Sequence, residues 1–310
     1  MRGLKIQAGS GSRLYPSGSL LAGSPIPPIP DTADMFACWS TFGITANWQN
    51  NFGLILAVGD STSGDILSTA AEPYPLDWAS VVGIVGANPV MSEWKDQTGT
   101  GSDLSQGDDP SFRPAINVTD QRFDFDGTDD YLYRASLSGS DVTTVTVYNI
   151  FRTGTFGAVR PIWASGYDTD FGTLRSIGLG YIDDSGRYVA VQTGSSGADI
   201  NSRRISLSAN TTYITTTVYD RDQINPNDQT LLLLNNSSTG VNVVSNVDMA
   251  ADSFSFSTNN FALGRAEIDA ASQYFNGAMM HQQMHNTAHN ETLRNEWYAR
   301  LAYMVEYAGW

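Results

Sequence analysis

From about residue 76 onward, short apolar segments alternate with clusters of turn-forming residues. Within these segments apolar and polar positions alternate with a period of two, which is typical of half-buried strands. The alternation is clearest over residues 142–151, 177–182, 187–192, 213–219, 230–234, 254–256 and 278–285. Many short strands at such spacing predict an all-β antiparallel sandwich or jelly roll.

The C-terminal end has a different pattern, because its apolar side chains repeat at helical spacing. The repeat consists of Leu293, Trp297, Leu301 and Met304. Asn290 suits the N-cap position of a helix, and Gly309 stands where such a helix would end. We therefore predict one C-terminal helix packed against the sandwich.

The N-terminal part lacks this patterning. Gly and Ser are frequent up to residue 23, and residues 25–30 read Pro-Ile-Pro-Pro-Ile-Pro, which favours extended polyproline geometry. Two apolar runs around a polar stretch then indicate a small strand pair. The expected organisation is an extended anchoring arm over 1–33, a small β anchoring segment over 34–75 and a jelly-roll domain over 76–310.

Composition and charge exclude several classes of function. Lys and Arg number 17 against 32 for Asp and Glu, so the net charge of −15 would repel a nucleic-acid backbone. Glu and Lys are scarce, which excludes an all-helical fold because both are strong helix formers. No apolar run approaches the roughly 20 residues of a membrane span. The apolar run Leu20–Ala22 is too short for a signal peptide, so export by the ordinary secretory route is not expected.

Several segments together resemble a known family. They are Trp94 to Gln106, the Arg113-Pro114 pair, Phe123 to Leu132, Asn260 to Arg265 and Phe275 to Gly277. In this order and at these intervals they resemble concanavalin A-like lectin/glucanase modules of the laminin-G-like type. The resemblance runs from roughly residue 76 to 310 and implies a concanavalin A-like jelly roll. Modules of this type are common on phage virion proteins, often behind an N-terminal anchoring segment.

The resemblance implies a non-enzymatic phage virion protein, of the decoration, head-fibre or tail-fibre type. In this interpretation the arm binds other virion proteins, and the jelly roll faces outward from the capsid or tail as a homo-oligomer that attaches to host-surface glycan. Two alternatives stay open, namely a purely structural cement protein without sugar binding and a polysaccharide-degrading glycosidase. Against the glycosidase, the Glu-x-Asp-x-x-Glu strand of laminarinase-like relatives is missing, and no Glu occurs between Glu93 and Glu267.

Sugar recognition usually combines an aromatic ring face with planar hydrogen-bonding groups. Residues of both kinds in or beside predicted loops form the expected glycan-binding surface, namely Trp163, Tyr167, Asp168, Asp170 and Arg187. No catalytic residue is assigned.

Two groups of residues are candidate metal ligands. Oxygen-rich loops suit calcium, and the best candidate comprises Asp220, Asp222, Asn225 and Asp228, with a solvated hairpin loop as the alternative. The histidines at 281, 285 and 289 are spaced four apart. Because the first two are placed on a strand, about 13 Å apart at the strand rise, and the third in a loop, ordinary structural histidines are favoured over a shared ion.

Overall fold

Two antiparallel sheets and a C-terminal helix make up the part of the chain that the computed structural model describes. The described residues are 27–42, 56–58, 64–66, 90–106, 110–117, 119–137, 141–156, 160–165, 177–181, 187–193, 200–249, 253–254, 256, 260–265 and 274–310. The predicted all-β jelly-roll sandwich with one closing helix is confirmed.

The first sheet runs in the order β15-β14-β9-β18-β7-β6, and β1 pairs with β18 beyond the end of β7. Its strands are β1 (Met35–Ser40), β6 (Ala115–Asn117), β7 (Arg122–Asp126), β9 (Thr144–Thr153), β14 (Thr212–Asp220), β15 (Thr230–Leu234) and β18 (Asn276–His285). The central pairs β9–β14 and β9–β18 align nine and eight residues, so these strands form the middle of the sheet.

The second sheet runs in the order β16-β13-β12-β11-β10-β17-β8-β5-β4-β2-β3. Its strands are β2 (Leu56–Val58), β3 (Gly64–Ile66), β4 (Met91–Trp94), β5 (Leu104–Ser105), β8 (Leu132–Arg134), β10 (Arg160–Ser165), β11 (Ile177–Tyr181), β12 (Arg187–Thr193), β13 (Ile200–Ser206), β16 (Asn242–Asn246) and β17 (Phe261–Leu263). Two short 3₁₀ helices, Pro110–Phe112 and Pro226–Asp228, lie in the described connections.

Strand alternation divides the apolar side chains between two cores. On β9, Val145 and Val147 join the core between the sheets, whereas Tyr148 and Ile150 join the core beneath the helix. This sorting follows from the two-residue period of a strand. Both faces of the first sheet are therefore buried, one against the second sheet and the other against the helix.

The helix, α1 (Glu291–Ala308), begins and ends where the sequence indicates. The Asn290 side chain accepts a hydrogen bond from the backbone N–H of Leu293 at 3.0 Å, and the C-cap is Gly309. The buried side chains of α1 are Trp297, Arg300, Leu301, Met304 and Val305. Their apolar members pack on the face of the first sheet that carries Tyr148 and Ile150.

Most predicted strands are present within a residue or two of their expected bounds. The exception is the segment 254–256, where Phe254 makes only an isolated bridge to Val142. The sequence analysis also missed several observed strands, among them β10 and β13. β13 carries Asn201, Arg203 and Arg204, and this polar content hides its alternation.

The sandwich begins earlier in the chain than the expected boundary at residue 76. β1 is buried along its whole length and pairs with β18, and β2 and β3 extend the second sheet through β4. Strands from the predicted 34–75 segment therefore belong to the two sheets. The anchoring role of this segment and of the arm stays a prediction, since residues 1–26 lie outside the described residues. Across the described ranges, no helix is long and apolar enough to cross a membrane.

Candidate functional site

A surface that combines carboxyl groups, tyrosine rings and an arginine lies where β7 of the first sheet leads into β8 of the second. We call it the acid–tyrosine site. It consists of Asp126, Asp129, Asp130, Tyr131, Tyr274 and Arg265. Asp126 ends β7, the other two acids and Tyr131 follow it in the connecting loop, and Arg265 and Tyr274 form an isolated bridge.

The loop is shaped by hydrogen bonds from its own backbone. Asp126 Oδ1 accepts from the backbone N–H of Thr128 at 2.7 Å and of Asp129 at 3.3 Å. Asp130 Oδ2 accepts from the backbone N–H of Asp126 at 2.8 Å. A carboxylate oxygen from each of the three acids lies within 4.8 Å of the others. The turn thus holds an exposed, a half-buried and a buried carboxyl group together.

Asp130 is the buried acid of the three. Its pKa is raised to about 7, chiefly by burial and also by the nearby charges of Asp126 and Asp129, against the lowering effect of the backbone hydrogen bond. Near neutral pH a large fraction of Asp130 therefore carries a proton. A carboxyl group held in this state can donate a proton at a pH where an ordinary aspartate cannot.

The tyrosine rings form a partly exposed aromatic surface beside this acid. The Tyr131 ring centre lies 6.4 Å from that of Tyr274 and 6.1 Å from that of Tyr133. The Arg265 guanidinium carbon lies 4.0 Å from the Tyr131 ring centre, and Arg265 is buried. Aromatic faces next to fixed polar groups are the combination that sugar recognition uses.

We expect Asp130→Asn to change how stability depends on pH. The unfolded carboxyl titrates near pH 4, whereas the folded one titrates near 7, so the stability of the parent protein falls as pH rises between about 4 and 7. The amide does not titrate. The variant should therefore be about 1–3 kcal/mol more stable than the parent at pH 8, with a much smaller difference at pH 4.

Urea unfolding at the two pH values measures this effect. Asp124→Asn is the control, because Asp124 lies on β7 in a partly exposed ion pair with Arg122, which contributes little to stability. A difference between the Asp130→Asn variant and the parent that is equal at both pH values would show that Asp130 titrates as an ordinary aspartate.

The structure corrects the placement of Trp163. This residue lies on β10 with no exposed surface, and its ring stacks at 6.0 Å on that of Phe261 in the core between the sheets. Its faces are covered by protein, so it offers no surface to a sugar. Tyr167, Asp168 and Asp170 lie outside the described residues, as does the side chain of Arg187, whose backbone is in β12. Sugar binding by these four stays a prediction.

The oxygen-rich loop after β14 makes its hydrogen bonds within itself and to its neighbours. Asp220 accepts from Gln223 Nε2 at 2.7 Å and from the backbone N–H of Asp222 at 3.2 Å. Asn225 caps the 3₁₀ helix that follows, and its Nδ2 donates to Asp228 at 3.0 Å. Among the described residues, the two convergent groups of potential metal ligands lie elsewhere. The calcium site in this loop stays a prediction, with the hydrogen-bonded hairpin loop as its alternative.

Two of the three histidines contact the same carboxylate, and the third is linked to them through a glutamine. His285 Nδ1 and His289 Nε2 lie 2.8 and 2.9 Å from the two carboxylate oxygens of Asp34. Gln283 links His285 to His281 through contacts of 2.9 Å at both ends. The sequence analysis did not include Asp34, because that residue lies 251 positions before His285.

No family model matches the sequence, and no curated protein matches it. Among solved structures, a mutant GH54 α-L-arabinofuranosidase soaked with 4-nitrophenyl α-L-arabinofuranoside superposes on 86% of this chain with a TM-score of 0.61 at 11% identity. The same enzyme type soaked with a cyclic sulfate inhibitor gives 0.59 at 12%, and an arabinofuranosidase complexed with arabinofuranosyl-α-1,2-xylobiose gives 0.54 at 11%, each over 86% of this chain. The chain spans 63%, 63% and 62% of the lengths of these three proteins.

These similarities overturn the expectation of a protein without catalytic activity. The three solved structures named above are glycosidases, and at 11–12% identity the likeness shows the fold alone. The missing Glu-x-Asp-x-x-Glu motif was therefore a poor reason to exclude an enzyme, because it belongs to one branch of sandwich-fold glycosidases. The virion role stays a prediction.

Proposed function

We propose that this protein acts on carbohydrate as a glycosidase, with the acid–tyrosine site as its active site. The observation that carries the proposal is the fold likeness to arabinofuranosidases over 86% of the chain. The acid–tyrosine site supports it, since a proton-bearing carboxyl, a second carboxylate and partly exposed tyrosine rings occur together there. Host-glycan attachment on a virion remains the second candidate, resting on the sequence resemblance.

The chemistry assigned to the site is hydrolysis through two carboxyl groups. Asp130 donates its proton to the glycosidic oxygen as the bond to the anomeric carbon breaks, and the exposed carboxylate of Asp126 bonds to that carbon. Water then displaces Asp126 while Asp130 takes up the released proton, which restores both groups. Retaining glycosidases hold their two carboxyl groups about 5 Å apart, and one carboxylate oxygen of Asp126 lies no more than 4.8 Å from one of Asp130, which is close enough for both groups to serve one bond. Tyr131 and Tyr274 would hold the sugar ring.

The test screens the full-length protein on 4-nitrophenyl glycosides, beginning with the α-L-arabinofuranoside, and then measures the methyl glycoside of the sugar that is hydrolysed, because a methoxide leaving group needs the proton of the acid. We expect hydrolysis of the methyl glycoside with an activity that falls as pH rises through about 7, because Asp130 must be protonated. Asp130→Asn should lower kcat at least about 100-fold, and Tyr131→Ala should mainly raise KM. Asp124→Asn is the matched control and should leave both parameters unchanged.

Other outcomes would revise the proposal. Hydrolysis of the methyl glycoside that survives in the Asp130→Asn variant would place the active site elsewhere on the fold. Binding of glycans without hydrolysis of any glycoside in the panel would contradict the enzyme and favour the attachment role.

A further inference from the structure

Three distant parts of the chain meet at the edge of the core beneath α1, at a cluster of two imidazoles and one carboxylate. Asp34 lies just before β1, His285 ends β18, and His289 lies in the loop that leads into α1. One potential ligand atom from each residue lies within 4.8 Å of those of the other two. We call this group the Asp34–His285–His289 cluster.

The distances in the cluster are close to those of a metal site. Asp34 lies 2.8 Å from His285 Nδ1 and 2.9 Å from His289 Nε2, each through a different oxygen. Zinc binds nitrogen and oxygen at about 2.0–2.2 Å, which sets neighbouring ligand atoms about 3.3 Å apart in a tetrahedron. If each nitrogen–oxygen distance widened by about half an ångström, and the two imidazole nitrogens, which lie within 4.8 Å of each other, came to a similar distance, the three groups could share one ion.

The outer nitrogens of both imidazoles are held by further side chains. His289 Nδ1 lies 2.8 Å from the Tyr148 hydroxyl, and His285 Nε2 lies 2.9 Å from the Gln283 amide. When an ion occupies the inner nitrogens, the outer N–H of His289 donates to the Tyr148 oxygen. The outer N–H of His285 donates to the Gln283 carbonyl after a rotation that exchanges the amide nitrogen and oxygen. Such outer partners are typical of histidine metal ligands.

Burial differs across the cluster in a way that suits an ion with one open position. His285 and His289 are buried, whereas the Asp34 side chain keeps 21% of its surface exposed. Trp297 of α1 packs near the His285 ring, with 5.5 Å between ring centres. The histidines are thus enclosed on the helix side, and the carboxylate side gives an entry path and room for a water ligand.

We propose that Asp34, His285 and His289 bind a divalent transition-metal ion of the zinc type, which fastens the segment before β1 to the end of β18 and the start of α1. Two neutral imidazoles and a carboxylate are a donor set that zinc accepts, with water as the fourth ligand. The ion takes the place of the two protons that otherwise lie between the imidazoles and Asp34, and each imidazole stays neutral by carrying its proton on the outer nitrogen instead. This site is distinct from the acid–tyrosine site, and its proposal does not depend on glycosidase activity.

The competing arrangement is a metal-free hydrogen-bonded cluster. In that form His285 and His289 are neutral and donate to Asp34, which also accepts from the Thr287 hydroxyl. Both arrangements give every polar atom of the cluster a partner, so the contacts alone do not distinguish them. They differ in whether the protein binds an ion. Direct metal titration separates them.

The experiment uses full-length protein stripped with a chelator and then titrated with ZnCl₂ or CoCl₂. We expect one ion to bind per chain, with visible Co²⁺ absorption of tetrahedral intensity and a rise in Tm of about 5 °C at saturating zinc. Asp34→Asn and His289→Gln should remove the Co²⁺ spectrum. Tyr148→Phe, which keeps the ring but loses the hydroxyl on His289, should weaken binding about 10–100-fold.

Asp124→Asn is the matched control, since Asp124 is a partly exposed carboxylate that lies outside the cluster. This variant should bind the ion like the parent. Failure of the parent to change Tm or to give a Co²⁺ spectrum would overturn the proposal and leave the hydrogen-bonded cluster. Equal binding by the parent and the Asp34→Asn variant would also overturn it, since the ion would then lie elsewhere on this acidic chain.

Discussion

Trp163→Ala is expected to lower the free energy of unfolding by about 3–5 kcal/mol. Trp163 has no exposed surface, and it stacks on Phe261, whose other neighbour in the stack is Trp39 at 5.0 Å between ring centres. Truncation would therefore open a cavity between the two sheets that the paired strands β10 and β17 cannot close without moving together. Chemical unfolding followed by circular dichroism measures the loss.

Trp163→Phe is the control for this prediction. Phenylalanine keeps a ring on Phe261, and within the described part of the chain Trp163 Nε1 has no hydrogen-bond partner to lose. We expect the Trp163→Phe variant to lose less than half as much stability as the Trp163→Ala variant. If the Trp163→Ala variant were as stable as the parent but weaker in glycan binding, Trp163 would be an exposed platform and its position in the core would be wrong.

The sequence contained enough information for the longest strands and the helix, because both depend on local patterns. Strands β9, β14, β15 and β18 coincide with segments that the sequence analysis predicts as strands, and α1 is bounded by Asn290 and Gly309. Burial of the first sheet on both faces was harder to foresee. β14 is buried at every position although it carries Thr212, Thr215, Thr216 and Thr217. The polar residues in its sequence therefore give no sign that both faces of the strand are covered.

The candidate sites were missed because they depend on contacts between distant parts of the chain. Asp126, Asp129 and Asp130 were visible as an acidic turn followed by alternating tyrosines, and that combination was the available signal. The position of Arg265 under Tyr131 needed the fold. The sequence analysis disfavoured a shared ion because it placed His281 and His285 about 13 Å apart along a strand and set His289 apart in a loop. A loop between β18 and α1 brings His289 back to His285, and Asp34 completes the group from the opposite end of the sequence.

The aromatic platform was misplaced for a related reason. A tryptophan beside a predicted loop has the same sequence signature whether its ring faces solvent or the core. Trp163 enters the core because β10 pairs with β17 on one side and β11 on the other, which makes it an inner strand of the second sheet. The side of the sheet that the Trp163 ring faces is set by the pairing of strands that lie far apart in the sequence. A single sequence does not show which strands pair.

Gly264→Ala is expected to lower the free energy of unfolding by about 3 kcal/mol and to impair the acid–tyrosine site as well. Gly264 has φ +85°, where an L-residue costs about 1 kcal/mol or more. A Cβ there would lie 2.6 Å from the Phe125 ring and 2.8 Å from the carbonyl oxygen of Asp130. Phe125 is buried, and the backbone atom cannot rotate away, so the overlap adds about 1–3 kcal/mol.

Gly101→Ala separates the two contributions, because Gly101 has a similar φ of +77° but no atom within 4 Å of the added carbon. It should lose only the conformational share, about 1 kcal/mol. The extra loss in the Gly264→Ala variant then measures the packing of Gly264 against β7 and the Asp130 backbone. Since Asp130 must shift to admit the methyl group, the folded Gly264→Ala variant should also lose turnover of any glycoside that the parent hydrolyses, whereas the Gly101→Ala variant should not. Equal stability losses in the two variants would contradict the tight packing of Gly264 against the acidic loop. The conformation of that loop would then depend only on its own hydrogen bonds.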